Sequence, residues 1–218
     1  MLVVGLDLAG VESRPSGFCV LDGMRAETCL LYADEEIAQR IREAKPMIVA
    51  VDAPLSLPPG RVSIEERTGT HLRECDRELI RRGIRFFPIT LGPMRKLTQR
   101  GIALRKRLEA EGFKAIEVYP GGAQDILRIP RKGEGLKGLM EGLVRLGVEG
   151  LSEGMSDHEL DAVTSALVGM LYLKGEAETL GDRTEGIVMP REAATPQRSE
   201  ASPSAHRQVG AERAHLPN

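Results

Sequence analysis

Four acids in this 218-residue chain stand where packing alone would not put a charge. Asp7 lies in the apolar run Leu2-Val3-Val4-Gly5-Leu6-Asp7-Leu8. Asp52 closes a second run, Met47 to Val51, and Glu117 lies in a third, Lys114 to Tyr119. Asp161 falls near the start of a long apolar-striped stretch, one turn after His158. Carboxylates among valines and leucines are costly to bury unless something compensates their charge. Mg²⁺ and Mn²⁺ are hard cations that prefer oxygen ligands, and carboxylates converging from several strands can hold one or two of them. Two such ions about 4 Å apart can activate a water and stabilise a leaving oxygen in phosphoryl transfer. Each residue also has a plainer reading. Asp52 before Ala53-Pro54 fits a turn, Glu117 fits a partner for a buried arginine, and His158 fits a surface or capping residue. The combination, not any one residue, points to metal chemistry.

The segments around these acids must position them. Leu2–Leu8 reads as a buried strand. Ser16–Leu21 and Met24–Tyr32 read as two more, joined by the hairpin turn Asp22-Gly23. Asp34 is the expected N-cap of a helix carrying Ile37 and Ile41 and ending before Pro46. Met47–Val51 is the next strand. This β-β-β-α-β order suggests a mixed sheet covered by helices. Helices are expected over 71–82 and 94–111, with Phe86-Phe87-Pro88 packed between them. Lys114–Tyr119 is a strand, 121–127 a short helix and 135–146 a glycine-weakened one. Ser156 and Glu159 form a capping box at the head of a helix reaching about Leu173. Leu180 and Ile187–Met189 suggest a closing strand pair. From Arg191 the chain loses periodicity, and residues 191–218 are expected to be a disordered tail.

Composition bounds the function. The chain is 41% hydrophobic and 28% charged, with a net charge of −2, so it is not basic overall. Aromatics make up 3% with no Trp, which argues against a wide base-stacking platform. Charge is concentrated instead: thirteen Lys and Arg against five acids between Arg61 and Arg107 give a local +8. Arg73, Arg77 and Arg81 recur every fourth residue, the spacing of one helix face, suited to backbone phosphates or to pairing with Glu74 and Glu78. Cys19, Cys29 and Cys75 form no CxxC and read as reduced, packed thiols; Cys75 has no nearby His. No signal peptide and no apolar run of spanning length is present, which predicts a cytoplasmic protein without a membrane partner.

Six segments together resemble the domain of unknown function 429 family, identified as predicted nucleases of the ribonuclease-H-like superfamily. They are Gly5-Leu6-Asp7-Leu8-Ala9-Gly10, Val49-Ala50-Val51-Asp52-Ala53-Pro54-Leu55, Arg73-Glu74-Cys75-Asp76-Arg77-Glu78-Leu79, Ile116-Glu117-Val118-Tyr119-Pro120, Asp157-His158-Glu159-Leu160-Asp161-Ala162 and Glu185-Gly186-Ile187-Val188-Met189-Pro190. The resemblance spans residues 1–190 in order. It implies an α/β ribonuclease-H-like mixed sheet, three antiparallel strands followed by parallel ones, with helices on both faces. Residues 1–190 would form this domain, with a basic helical insertion at about 61–112. It makes Asp7 the first-strand acid, Asp52 the fourth-strand acid and Asp161 the last-helix acid. His158-x-x-Asp161 also looks like the last-helix motif of Holliday-junction resolvases.

The resulting expectation is a nuclease hydrolysing phosphodiester bonds with Mg²⁺ or Mn²⁺. Asp7 would bridge two ions, Asp52 and Asp161 would each bind one, and His158 would support the second ion or the leaving group. Glu117 joins this catalytic set as a family-specific acid, and Arg73, Arg77 and Arg81 are the expected phosphate contacts. Nucleic acid is the expected partner, its type open. Two other classes compete: a non-catalytic binding module on the same scaffold, and an actin-like phosphotransferase whose first loop would run from Asp7 to Gly10. Against the latter, the chain has no second Asp-x-Gly loop.

Overall fold

The structure is a computed structural model, and it describes residues 1–66, 69–182 and 185–192. The expected tail lies, from residue 193 on, outside the described residues.

Strands β1 (Leu2–Asp7), β2 (Ser16–Asp22) and β3 (Arg25–Leu31) form an antiparallel meander. Helix α1 (Asp34–Ala44) leads to β4 (Ile48–Asp52), which pairs parallel with β1. Its N-cap is Ala33, not Asp34. Glu36 supplies the cap by accepting hydrogen bonds from the Tyr32 and Ala33 amides, which frees Asp34 to pair with Arg100. Helices α2 (Glu74–Arg81) and α3 (Gly92–Ala110) precede β5 (Ala115–Val118). Then come α4 (Pro120–Leu127), a single 3₁₀ turn at Lys132–Glu134, α5 (Leu136–Arg145) and α6 (Asp157–Lys174). The expected closing pair is present as β6 (Ala177–Leu180) and β7 (Ile187–Pro190). The seven strands run in the order β3-β2-β1-β4-β5-β7-β6, antiparallel at first and then parallel from β1 through β4 and β5 to β7. This is the ribonuclease-H-like mixed sheet. Among the described residues no helix is long and apolar enough to cross a membrane.

Alternation along each strand sends side chains to two cores. Val3, Ile48, Ala50, Ile116 and Val118 pack with Leu160, Val163 and Leu167 of α6 and with Leu139 and Leu143 of α5. Val4, Leu6, Val49, Val51 and Ala115 pack with Ile37 and Ile41 of α1 and with Leu104 and Leu108 of α3. Helices therefore cover both faces, and the central strands are apolar on both sides.

Helix α6 lies unusually close to β1 and β2. A Cβ built at Gly5 would overlap the Ala162 carbonyl oxygen and the Ala166 amide, and one at Gly17 would overlap the His158 carbonyl. Glycine here admits backbone against backbone, which brings the first turn of α6 down onto the end of β1. Gly17→Ala is expected to push that turn away and to cost about 1–3 kcal/mol in thermal unfolding. An unchanged melting temperature would show that the contact positions nothing.

Candidate active site

Strand parity assembles the site. Val3, Gly5 and Asp7 face α6, and so do Ile48, Ala50 and Asp52. Asp7 and Asp52 are direct register partners at the carboxyl ends of β1 and β4. Above them, Ser156 caps α6: its Oγ accepts from the Glu159 amide, and the Ser156 amide donates to Glu159 Oε2. The cap fixes the first turn, and the i, i+3 spacing of His158 and Asp161 turns both to one face. His158 Nδ1 donates to Asp7 Oδ2 at 2.7 Å. Asp161 is buried and has both oxygens engaged. Gln124 of α4 donates to Oδ1 at 2.9 Å, and the Lys132 ammonium stands 2.8 Å from Oδ2 and 3.3 Å from Asp157 Oδ2.

Asp52 differs from its neighbours. Among the described residues no side-chain hydrogen bond or ion pair reaches it. Burial, and then the charges of Asp7 and Asp161, push its carboxyl well above the usual range. Burial also raises Asp161, with Lys132 opposing and Asp7 adding to the shift. The hydrogen bond to Asp7 raises the His158 imidazole. Burial works against the Lys132 ammonium, yet Asp161, Asp7 and Asp157 hold its pKa above that of an ordinary lysine. The cluster holds more negative charge than its one lysine and one histidine offset.

Two expected site residues lie elsewhere. Glu117 follows the opposite parity from Asp7 and Asp52: it registers with Val51 and shares the face of Ala115, toward α2 and α3. There Arg73 clamps it with two hydrogen bonds of 2.7 Å, and the Leu55 amide donates a third at 2.7 Å. Arg73 is 1% exposed, and its guanidinium also meets Asp76 at 3.0 Å. It precedes α2 as the N-cap rather than standing on its outer face. The plainer reading of Glu117 holds, and Arg73 is corrected from a phosphate contact to a buried structural cation. Arg77 and Arg81 do stand at the surface, each ion-paired with Glu74, and Arg81 also with Glu78. Much of the +8 segment is neutralised in the same way, by Glu178 on Arg82, Asp34 on Arg100, and Glu35 and Glu111 on Arg107.

Cys75 is buried, and its thiol donates to the Glu185 carbonyl at 2.9 Å, which is packing. Cys19 is buried too, whereas Cys29 is partly exposed. Lys132 carried no sequence signal. Lys132 sits in the glycine-rich stretch Arg131-Lys132-Gly133-Glu134-Gly135, which reads as a solvated turn. Gln124 was detectable in principle, as a polar residue on the inner face of a short apolar helix.

Among the described residues, no three His, Cys, Asp or Glu side chains are placed to hold a metal as they stand. Asp7 is turned to His158, and Asp161 to Lys132 and Gln124. The donor set still suits one. Asp7, Asp52 and Asp161 offer hard oxygens on one face of the sheet, and the repulsion that raises Asp52 is what a divalent cation would relieve.

The fold is therefore a ribonuclease-H-like mixed sheet, with Asp7 and Asp52 at the ends of its central strands and Asp161 on its last helix. The chain matches the family described as a protein of unknown function, DUF429, over residues 5–186, and it belongs to that family. Solved structures of Thermus thermophilus RuvC are also similar. One, in complex with a Holliday junction substrate, is 15% identical with a TM-score of 0.45, covering 80% of this chain and 96% of that one. The other is 13% identical with a TM-score of 0.46, covering 80% and 97%. A comparison with curated proteins finds no match.

Proposed function

We propose that this protein is a divalent-metal-dependent nuclease that hydrolyses phosphodiester bonds at the cluster of Asp7, Asp52 and Asp161. The observation that carries the reading is Asp52, a carboxylate without a hydrogen-bond or ion-pair partner among the described residues, set beside two further aspartates whose charges work against it. Asp52 is half-buried at the edge of an open cavity, and a carboxylate held there between two like charges is suited to a cationic ligand. Asp7, Asp52 and Asp161 would hold Mg²⁺ or Mn²⁺, which when bound supplies Lewis-acid stabilisation of the phosphate oxygens. His158 fixes Asp7 through Nδ1, and Nε2 has no hydrogen-bond partner among the described residues, so it can hold a proton for the leaving oxygen. Gln124 orients Asp161. Lys132 offsets the cluster's charge and would be available to a phosphate oxygen beside Asp161. Backbone phosphates would meet exposed cations without acidic partners, such as Arg85 and Lys96, since Arg77 and Arg81 are already paired.

The test is Mn²⁺ calorimetry on the full chain, with cleavage assays on single-stranded, duplex and branched DNA and RNA in Mn²⁺ or in EDTA. Mn²⁺ binding with cleavage that disappears in EDTA is the expected result. Folded protein that binds no Mn²⁺, with or without nucleic acid, overturns the reading and favours the binding module. Mn²⁺ binding without cleavage of any polymer overturns the nuclease assignment in favour of a small phosphorylated substrate.

A further inference from the structure

The chain has four Phe, three Tyr and no Trp, and three of these seven rings meet beside Asp52. A cavity of about 190 Å³ on the α2 and α3 side of the sheet is bordered by Asp52 at one edge, by Phe86, Phe87, Met94 and Tyr119, and by the Arg73–Glu117 pair. The same three aromatics line an adjoining cavity of about 780 Å³ that reaches Ile80, Arg85 and Arg131. Phe86-Phe87 was expected to be packed between helices, yet Phe87 is 73% exposed. A large apolar ring held in water beside a polar site needs a reason. Tyr119 is fixed in place: its hydroxyl donates to the Arg85 carbonyl at 2.6 Å, and the Arg131 guanidinium lies 5.8 Å from its ring centre, anchored by Asp125. The Asp52 charge also reaches the Tyr119 phenol and contributes to raising it, after burial. Arg85 is exposed and has no acidic partner among the described residues.

We propose that this aromatic pocket receives one unpaired nucleobase of the strand whose phosphate lies at Asp7, Asp52 and Asp161, so that the substrate is single-stranded or locally unpaired nucleic acid. The proposal rests on the nuclease reading and narrows it. Aromatic faces next to a guanidinium bind bases by stacking, with little regard to sequence. A base within a duplex cannot enter such a pocket without leaving its stack, which favours strands already unpaired. The occupant is a base and not another apolar surface because Asp52, a member of the aspartate cluster, borders the cavity, and the exposed Arg85 lines the adjoining one. One pocket of three rings is also compatible with a chain too poor in aromatics for a wide platform.

Because the chain has no Trp, Phe87→Trp places a single tryptophan at the pocket, excited apart from the tyrosines at the red edge of its absorption. Its emission is titrated with a single-stranded thymidine octamer, the same octamer with abasic sites throughout, and a blunt duplex, in EDTA and again in Ca²⁺. The intact octamer is expected to quench the emission, and the abasic octamer and the duplex are not. Phe87→Ala, at an exposed position that the fold does not need, is expected to weaken single-strand binding roughly 5- to 150-fold and to leave duplex binding unchanged. Equal quenching by intact and abasic strands, or unchanged single-strand affinity in Phe87→Ala, overturns the pocket. So does a change of oligomeric state in Phe87→Ala, read by light scattering, as its sole effect, which would mark the patch as a contact between copies of the chain. If wild type cleaves nucleic acid while Phe87 proves indifferent, the pocket alone fails. If wild type binds neither Mn²⁺ nor any strand, the nuclease reading fails first.

Discussion

Asp52→Asn is expected to lower Mn²⁺-dependent cleavage about a thousandfold and, in EDTA, to raise the melting temperature. The loss follows from removing one of three charged donors. Metal stabilisation of transition-state charge is worth several kcal/mol, and each ~1.4 kcal/mol is a factor of ten. The gain follows from what Asp52 costs the fold. Among the described residues it has no hydrogen-bond or ion-pair partner, burial disfavours its charge, and Asp7 and Asp161 repel it. An amide of the same shape is uncharged and so removes the last two, which should return about 0.5–2 kcal/mol, or some 2–4 °C for each kcal/mol in a protein of this size. The pH dependence has a definite sign. An acid whose pKa is raised on folding favours the native state while protonated and loses that contribution as pH rises through its folded pKa. The variant's advantage should therefore be small in acid and open as pH climbs out of the carboxylate range. Saturating Mn²⁺ should reverse the order, since it stabilises the protein that binds it. Differential scanning calorimetry with and without Mn²⁺ reads all of this. A variant less stable than wild type in EDTA would show that Asp52 holds structure, and the case for an open ligand would collapse.

The parts of this architecture set by local pattern were legible. The β1–β4 order, the hairpin at Asp22-Gly23, the capped start of α6 and the closing strand pair follow from alternation, turn chemistry and Ser156 with Glu159. Asp7 and Asp161 were legible because a carboxylate beside Leu6 and Leu8, or on an apolar helix, is conspicuous. Glu117 was conspicuous for the same reason, but it lies on the other face of the sheet, paired with Arg73. Its strand is apolar on both faces, so alternation could not say which face it served. Only the cross-strand register, Val51 opposite Glu117 and Asp7 opposite Asp52, separates the two sets. Arg73 fits the spacing of Arg77 and Arg81, but its φ and ψ are extended, so it belongs to the cap and not to the helical face. Phe87 was assigned to packing on hydrophobicity alone. Lys132 reaches Asp161 by a route that no spacing rule describes, from a 3₁₀ turn between α4 and α5.

Glu117→Ala is expected to destabilise the protein by about 3–5 kcal/mol, because it leaves Arg73 buried with one acid where it had two. The Arg73 guanidinium now satisfies its donors on Glu117, Asp76 and Ser56, and none of these is replaced by water at 1% exposure. At some 2–4 °C for each kcal/mol, the melting temperature should fall by roughly 6–20 °C. The Leu55 amide would also lose its acceptor. That amide lies in the loop that follows Asp52, so residual activity should fall through displacement of the loop rather than through lost chemistry. Arg73→Met with Glu117→Leu should cost less than the two single changes added together, since apolar side chains of similar size remove both charges at once. Asp76 then keeps the Arg73 backbone amide, 2.8 Å away, as a donor. Denaturant titration of the two single variants and the double variant measures the coupling. A catalytic Glu117 predicts the reverse pattern: a fully stable Glu117→Ala with activity abolished. Both Glu117 oxygens are already held by Arg73 and the Leu55 amide, and its register turns it from the face of α6, so the structural pattern is the expected one.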